Sequence, residues 1–143
     1  MTLRIAVEAV VNLTEDEAKV ARALRNVFPD MSVQRLRMDE GKMKLRMNGS
    51  GLQTLATLRS MIKQDRIRTA ARAVILRGAD GTRIQFYLNK QAAFAGRASF
   101  CAPFGESPQG PITVEIFSDN PASVVDYLAA MPGQGGFQRF QER

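Results

Sequence analysis

The chain predicts an α+β fold: a single domain on one mostly antiparallel five-stranded sheet, with helices packed on one face. Three observations lead there. Strands with period-two alternation stand at both ends of the chain. Helical stripes between them open on recognisable capping residues. Strands and helices neither alternate strictly nor segregate, which disfavours a doubly wound sheet. The 143 residues suit one domain and can bury roughly 68–70% of the unfolded surface without a disulfide or metal staple. The domain is read over residues 1–131, followed by a flexible Gly/Gln-rich tail over 132–143, PGQGGFQRFQER.

The first strand covers residues 2–11, where Leu3, Ile5, Val7, Ala9 and Val11 share one face and Arg4 and Glu8 the other. Thr14 and Glu17 read as a capping box for a helix whose stripe is Val20, Ala21, Leu24, Val27 and Phe28, ended at Pro29-Asp30. Residues 31–38 and 42–48 read as a hairpin around Asp39-Glu40-Gly41, with Met43, Leu45 and Met47 on one face and Lys42, Lys44 and Arg46 on the other. Ser50 and Gln53 suggest a second cap.

The helical stretch that follows changes phase. Leu55, Leu58 and Ile62 share a side, whereas Ile67, Ala70, Ala71 and Val74 centre roughly 130° away, so one straight helix cannot bury both. Two helices, about 51–62 and 65–76, with a bend near Lys63–Asp65, satisfy both stripes. Gly78 reads as a C′ residue and Asp80-Gly81 as a turn. The next strand, 82–88, turns Ile84, Phe86 and Leu88 inward. Asn89 reads as the cap of a short helix through Ala95. The last strand, 111–117, buries Ile112, Val114 and Ile116, and Asp119 or Asn120 caps a final helix begun by Pro121, with Val124, Val125 and Leu128 inward.

The net charge is +6 and unevenly spread. Residues 41–77 hold nine cations against Asp65, a net of +8, while the other eleven cations and thirteen acids net −2. A concentrated excess of this kind fits an anionic partner, nucleic acid first; a solvated basic face is the plainer alternative. Lys42, Lys44 and Arg46 on a strand, with Lys63, Arg66, Arg68 and Arg72 on helices, are the candidate phosphate-binding residues. Arg66, Arg68 and Arg72 are expected to be exposed. Tyr87 is the one aromatic read as exposed nearby, which favours contact with duplex or folded RNA over stacking of single-stranded bases.

Catalytic chemistry finds little support. Histidine is absent, which removes the commonest general base and the Ser-His and Cys-His pairs. Cys101, the single cysteine, excludes an internal disulfide, makes no zinc site and reads as a small buried hydrophobe. Asp39-Glu40 fall in a turn. Gly78-Ala79-Asp80-Gly81 matches the GxxG of KH modules only weakly, because it introduces a strand and carries an acid where a phosphate would sit. No cofactor motif occurs. No apolar run reaches the ~18 residues of a membrane helix, and the N-terminus lacks a signal peptide's apolar core. With no disulfide framework, a cytoplasmic protein is expected.

The stretch YLNKQAAFAGRASF, residues 87–100, offers Asn89, Lys90, Gln91 and Arg97 as an anion-binding candidate beside a helix start. Its plainer reading is an Ala-rich connector with polar ends. A small anionic-ligand or nucleotide-binding protein or enzyme using residues 87–110, with an acid such as Glu106 near Lys90, is one alternative function; a structural assembly subunit is another. The loop Glu106-Ser107-Pro108-Gln109-Gly110-Pro111 would border such a site.

Together NLTEDEAKVARALRNVFPD, QDRIRTAARAVILRG, FYLNKQAAFAGRASF and ESPQGPITVEI resemble an archaeal uncharacterised protein family, number two hundred and one in its series, also described as a predicted exosome subunit. The resemblance spans roughly residues 2–131. Leu13 stands where the family's NPTED pattern has proline. The family's fold is similar to that of the large-subunit ribosomal protein that binds five-S rRNA. The resemblance implies an α+β domain, an RNA partner and a protein complex of RNA processing, and brings no catalytic residues with it.

Overall fold

The computed structural model describes residues 2–103 and 109–130. Six strands form one antiparallel sheet in the order β2-β3-β1-β6-β5-β4. They are β1 (Leu3–Val11), β2 (Val33–Arg37), β3 (Met43–Ser50), β4 (Ala79–Asp80), β5 (Arg83–Leu88) and β6 (Ile112–Ser118). The sixth strand, β4, is a two-residue partner of β5 that corrects the expected five. Its hydrophobic pattern is too short to show in the sequence. The flexible tail expected over 132–143 lies outside the described residues.

Register follows from the alternation. Val7 pairs with Met47 on one side and Val114 on the other, and Val114 pairs with Phe86. These four side chains are all at most 1% exposed. Every second residue of the central strands thus enters one core, shared with Val20, Leu24, Leu55, Leu58, Ile62, Ala71, Ile75, Val124 and Leu128 from the helices. The helices α1 (Glu17–Val27), α2 (Ala56–Gln64), α3 (Arg68–Arg77), α4 (Lys90–Phe94) and α5 (Pro121–Ala129) therefore form a layer over one sheet face. No helix among the described residues lies over the other face. Among the described residues no helix is long and apolar enough to cross a membrane.

The predicted break between two helices is present. A 3₁₀ turn over Leu52–Leu55 leads into α2, and Arg66 then adopts φ 57° before α3. That left-handed residue rotates the second stripe onto the core, but the stripe centres on Ala71 and Ile75, while Ala70 is exposed. Asn89 and Asn120 cap α4 and α5 through hydrogen bonds to Ala92 N (2.9 Å) and Ser123 N (3.3 Å). Both expected capping boxes are replaced. Asp16 caps α1 by accepting from Ala18 N, and Glu17 turns to Arg35 on β2. Ser50 remains in β3, and Gln53 donates to its carbonyl.

Gly78 is not the left-handed C′ residue expected, since its φ is −88°. It is glycine because a Cβ there would lie 1.9 Å from the Gln85 carbonyl oxygen of β5, and Gln85 N donates to the Gly78 carbonyl at 3.0 Å. The helix layer meets the sheet edge backbone to backbone at this point. Gly78→Ala is expected to destabilise the fold by about 1–3 kcal/mol through overpacking. Chemical denaturation should show a lowered midpoint at constant slope. Gly81→Ala, with open space around it but φ 63°, should cost only about 1 kcal/mol of backbone strain.

Candidate nucleic-acid interface

The candidate cations fall into two groups separated by the sheet. Lys44 and Arg46 have the parity of Glu8 and stand on the open face. There Arg46 approaches Glu8 at 2.6 Å and Lys44 the same carboxylate at 3.5 Å. Lys42 precedes β3 and is half-buried without an ion pair among the described residues. Lys63, Arg66, Arg68 and Arg72 belong to the helix layer on the other side. The basic strand and the basic helices therefore do not converge.

Within the helix layer the four cations differ. Arg72 is only 22% exposed at its side chain and is held by Asp126 (2.8 Å) and the Ala129 carbonyl (3.2 Å), tying α3 to α5. This corrects the expectation of an exposed Arg72: its charge staples two helices. Arg68 is half-buried, while Lys63 and Arg66 are exposed. None of these three makes an ion pair among the described residues.

The stretch 87–100 also separates into structural and available groups. Asn89 spends its carboxamide oxygen on the α4 cap. Asn26 of α1 closes the other end of α4 by donating to the Ala93 and Phe94 carbonyls. Lys90 is 6% exposed. Its ammonium donates to the Val10 carbonyl (2.5 Å), the Gln109 carbonyl (2.7 Å) and Glu15 Oε1 (2.9 Å). An ammonium has three donors, and all three are used. Glu15 is equally enclosed, at 7%, and also accepts from Asn12 N and Asn12 Nδ2. The acid facing Lys90 is Glu15, 75 residues earlier; Glu106, the acid expected there, lies outside the described residues with the loop 104–108. A cleft of about 400 Å³ opens beside this pair between α1 and α4, yet the lysine keeps no donor for a ligand in it.

Of the four candidates in the stretch, Gln91 and Arg97 are exposed. They line a cleft of about 550 Å³ with Asp65, Ile67, Ala92, Ala98 and Ser99. Asp65 Oδ2 accepts from Ala98 N at 3.3 Å, so the α2–α3 turn is fastened to the segment that carries Arg97. The α2–α3 turn, through Asp65 and Ile67, and the segment Gln91–Ser99 thus line one cleft although they are distant in sequence. Arg35 donates to the Glu17 carboxylate, and that hydrogen bond first and Coulombic attraction second hold its guanidinium above its ordinary value. A guanidinium stays charged at any working pH, so no switch results. Cys101 is half-buried, not the fully buried hydrophobe expected; it sits beside the β5 edge, with Cys101 N donating to the Tyr87 carbonyl.

Sequence reasoning passed over Arg4 and Phe117 on the open face. Arg4 pairs across to Phe117, and Phe117 to Arg83. The Arg4 guanidinium lies 5.3 Å from the Phe117 ring centroid. Strand parity was the available signal, since Phe117 alternates with Ile116.

A one-sided antiparallel sheet with a helix layer defines an α+β domain, and a family model described as RNA binding matches residues 4–116. The chain is 38% identical over 133 residues to a UPF0201 protein of Metallosphaera sedula, covering 92% of this chain and 91% of that protein. It is 42% identical over 132 residues to one from Pyrobaculum neutrophilum, covering 90% and 92%. The crystal structure of a UPF0201 protein from Methanococcus jannaschii superimposes with a TM-score of 0.80 at 27% identity, covering 93% of this chain and 96% of that one. The chain belongs to the UPF0201 family.

The buried pair gives a test of the site's scaffold. Lys90→Met should cost about 3–5 kcal/mol, because it leaves the Glu15 carboxylate enclosed without its cation. The double variant Lys90→Met/Glu15→Gln should lose less than the two single losses combined, as read by urea unfolding.

Proposed function

We propose that this chain is an RNA-binding accessory protein of archaeal RNA processing or ribosome-related function, working in the cytoplasm as part of a protein complex. It grips phosphates through the cations of residues 41–77 that remain available. The observation that carries this reading is that Asp65 and Ile67 of the α2–α3 turn line the same cleft as Gln91 and Arg97, with Lys63, Arg66 and Arg68 flanking them in the chain. These cations are not neutralised among the described residues, and the one acid in the cleft, Asp65, is engaged by Ala98 N. Guanidinium groups on a rigid turn suit phosphate oxygens, which they bind bidentately. The family description supports RNA over other polyanions.

Arg72 contributes to this surface by fixing α3 against α5. Lys44 and Arg46 lie on the other side of the sheet and do not reach the same phosphates. The alternative of a small-ligand site at Lys90 loses its central donor to Glu15 and two carbonyls.

Binding to a folded RNA hairpin should weaken with salt, with a log–log slope of about −0.7 to −0.9 for each phosphate neutralised. Arg66→Gln/Arg68→Gln should lower affinity alike for unrelated hairpins and shorten that slope by about two. Thermal stability should stay within about 0.5 kcal/mol, as for surface substitutions in general. A salt slope unmoved by these changes would remove the turn from the interface, and absence of salt-sensitive RNA binding by the intact protein would remove the function.

A further inference from the structure

We propose that the open face of the sheet is a second RNA-contact surface, on which an unpaired nucleobase stacks at Phe117 between Arg4 and Arg83. The inference rests on the RNA-binding reading above and extends it from phosphates to bases. Ser50, Arg4, Phe117 and Arg83 stand in one row across β3, β1, β6 and β5. Phe117 is half-buried and carried by its strand, and among the described residues no helix lies over this face. Arg4 is exposed, makes no ion pair among the described residues and already lies over the ring. An aromatic face beside a planar guanidinium accepts any base, because stacking needs only a π-surface.

The neighbouring row is Asn48, Ala6, Glu115 and Gln85, where the small Ala6 leaves a shallow place next to the ring. One row further, Arg46, Glu8, Thr113 and Tyr87 line up. Tyr87 lies four positions along β5 from Arg83, ~13 Å at the rise of a strand, and supplies a second ring.

Charge selects the occupant. Arg4, Lys44, Arg46 and Arg83 face three carboxylates on this surface: Glu8, covered by Arg46 and Lys44; Glu115, covered by Arg83; and Asp80 of β4, opposite Arg83 at the sheet edge. The surplus is positive. A second copy of the same face would set like charge against like charge, whereas a single strand brings phosphates to the arginines and bases to the rings.

The test uses the intact protein with a single-stranded RNA containing 2-aminopurine and, separately, a fully paired hairpin RNA. The expected result is quenching of 2-aminopurine fluorescence on binding. Phe117→Leu should abolish the quenching and weaken the single strand about tenfold while hairpin affinity stays within about twofold. Arg4→Gln, at an exposed position that leaves the core untouched, should weaken the single strand severalfold. Quenching and affinity that survive both substitutions would overturn the sheet-face site. So would a wild-type dimer that Arg4→Gln dissociates in sedimentation, since the face would then belong to a second copy. Hairpin binding without single-strand binding defeats this inference alone; binding of neither RNA defeats the RNA-binding reading itself.

Discussion

The constraint on which the rest depends is the one-sidedness of the sheet. Strand side chains alternate with period two, and the central strands place most of their aliphatic residues, and all the fully buried ones, on one parity. The Met47–Val7–Val114–Phe86 row shows the effect on four adjacent strands. A slip of one residue in any of them would turn its whole apolar set to solvent. All helices must therefore cover the same face, and the opposite face is left to polar and aromatic side chains. The partition of charge between two surfaces is a consequence of core formation.

That partition explains why counting cations along the sequence overstates a single patch. The +8 of residues 41–77 is distributed over a strand and two helices that the sheet holds apart. Some of it is also neutralised. Glu8 takes two cations and Asp126 takes Arg72. Half-exposed pairs of this kind contribute little to stability but remove charge from the surface field. Arg59 is likewise occupied, donating to the Tyr127 carbonyl and stacking on its ring. What remains for a polyanion is the cations without a covering acid, and these cluster at the α2–α3 turn.

Local signals in the sequence were legible where a single physical rule acts over a few residues. Alternation located the five longer strands, the phase change in 51–77 located the Arg66 break, Asn89 was read as a cap, and of the two caps open for the last helix, Asp119 or Asn120, the structure uses Asn120. Competing local rules were less legible. Thr14 and Asp16 are both capping residues, and Asp16 wins while Glu17 is drawn to Arg35 across the helix–sheet gap. Gly78 looked like a helix stop because glycine usually is one there; its reason is a carbonyl on a strand that follows. The site depended most on long-range placement. Lys90 reads as a donor in isolation and becomes a structural residue only once Glu15 and two backbone carbonyls converge on it.

Lys90 and Arg97 then mark the two ends of one functional division within a short segment. The buried ammonium joins the end of β1, the entry to α1 and the segment at Gln109, where a charge with unmet partners would be costly. That anchoring holds α4 in place together with the Asn89 and Asn26 caps. Ala98 N, hydrogen-bonded to Asp65, carries the same rigidity to the α2–α3 turn. Arg97 is thereby presented from a fixed backbone at the cleft that Asp65 and Ile67 of the turn also line. Preorganised cations bind a phosphate with less ordering of the protein than mobile ones. Within the segment 87–100, Asn89 and Lys90 thus hold the backbone still, while Arg97 stays exposed.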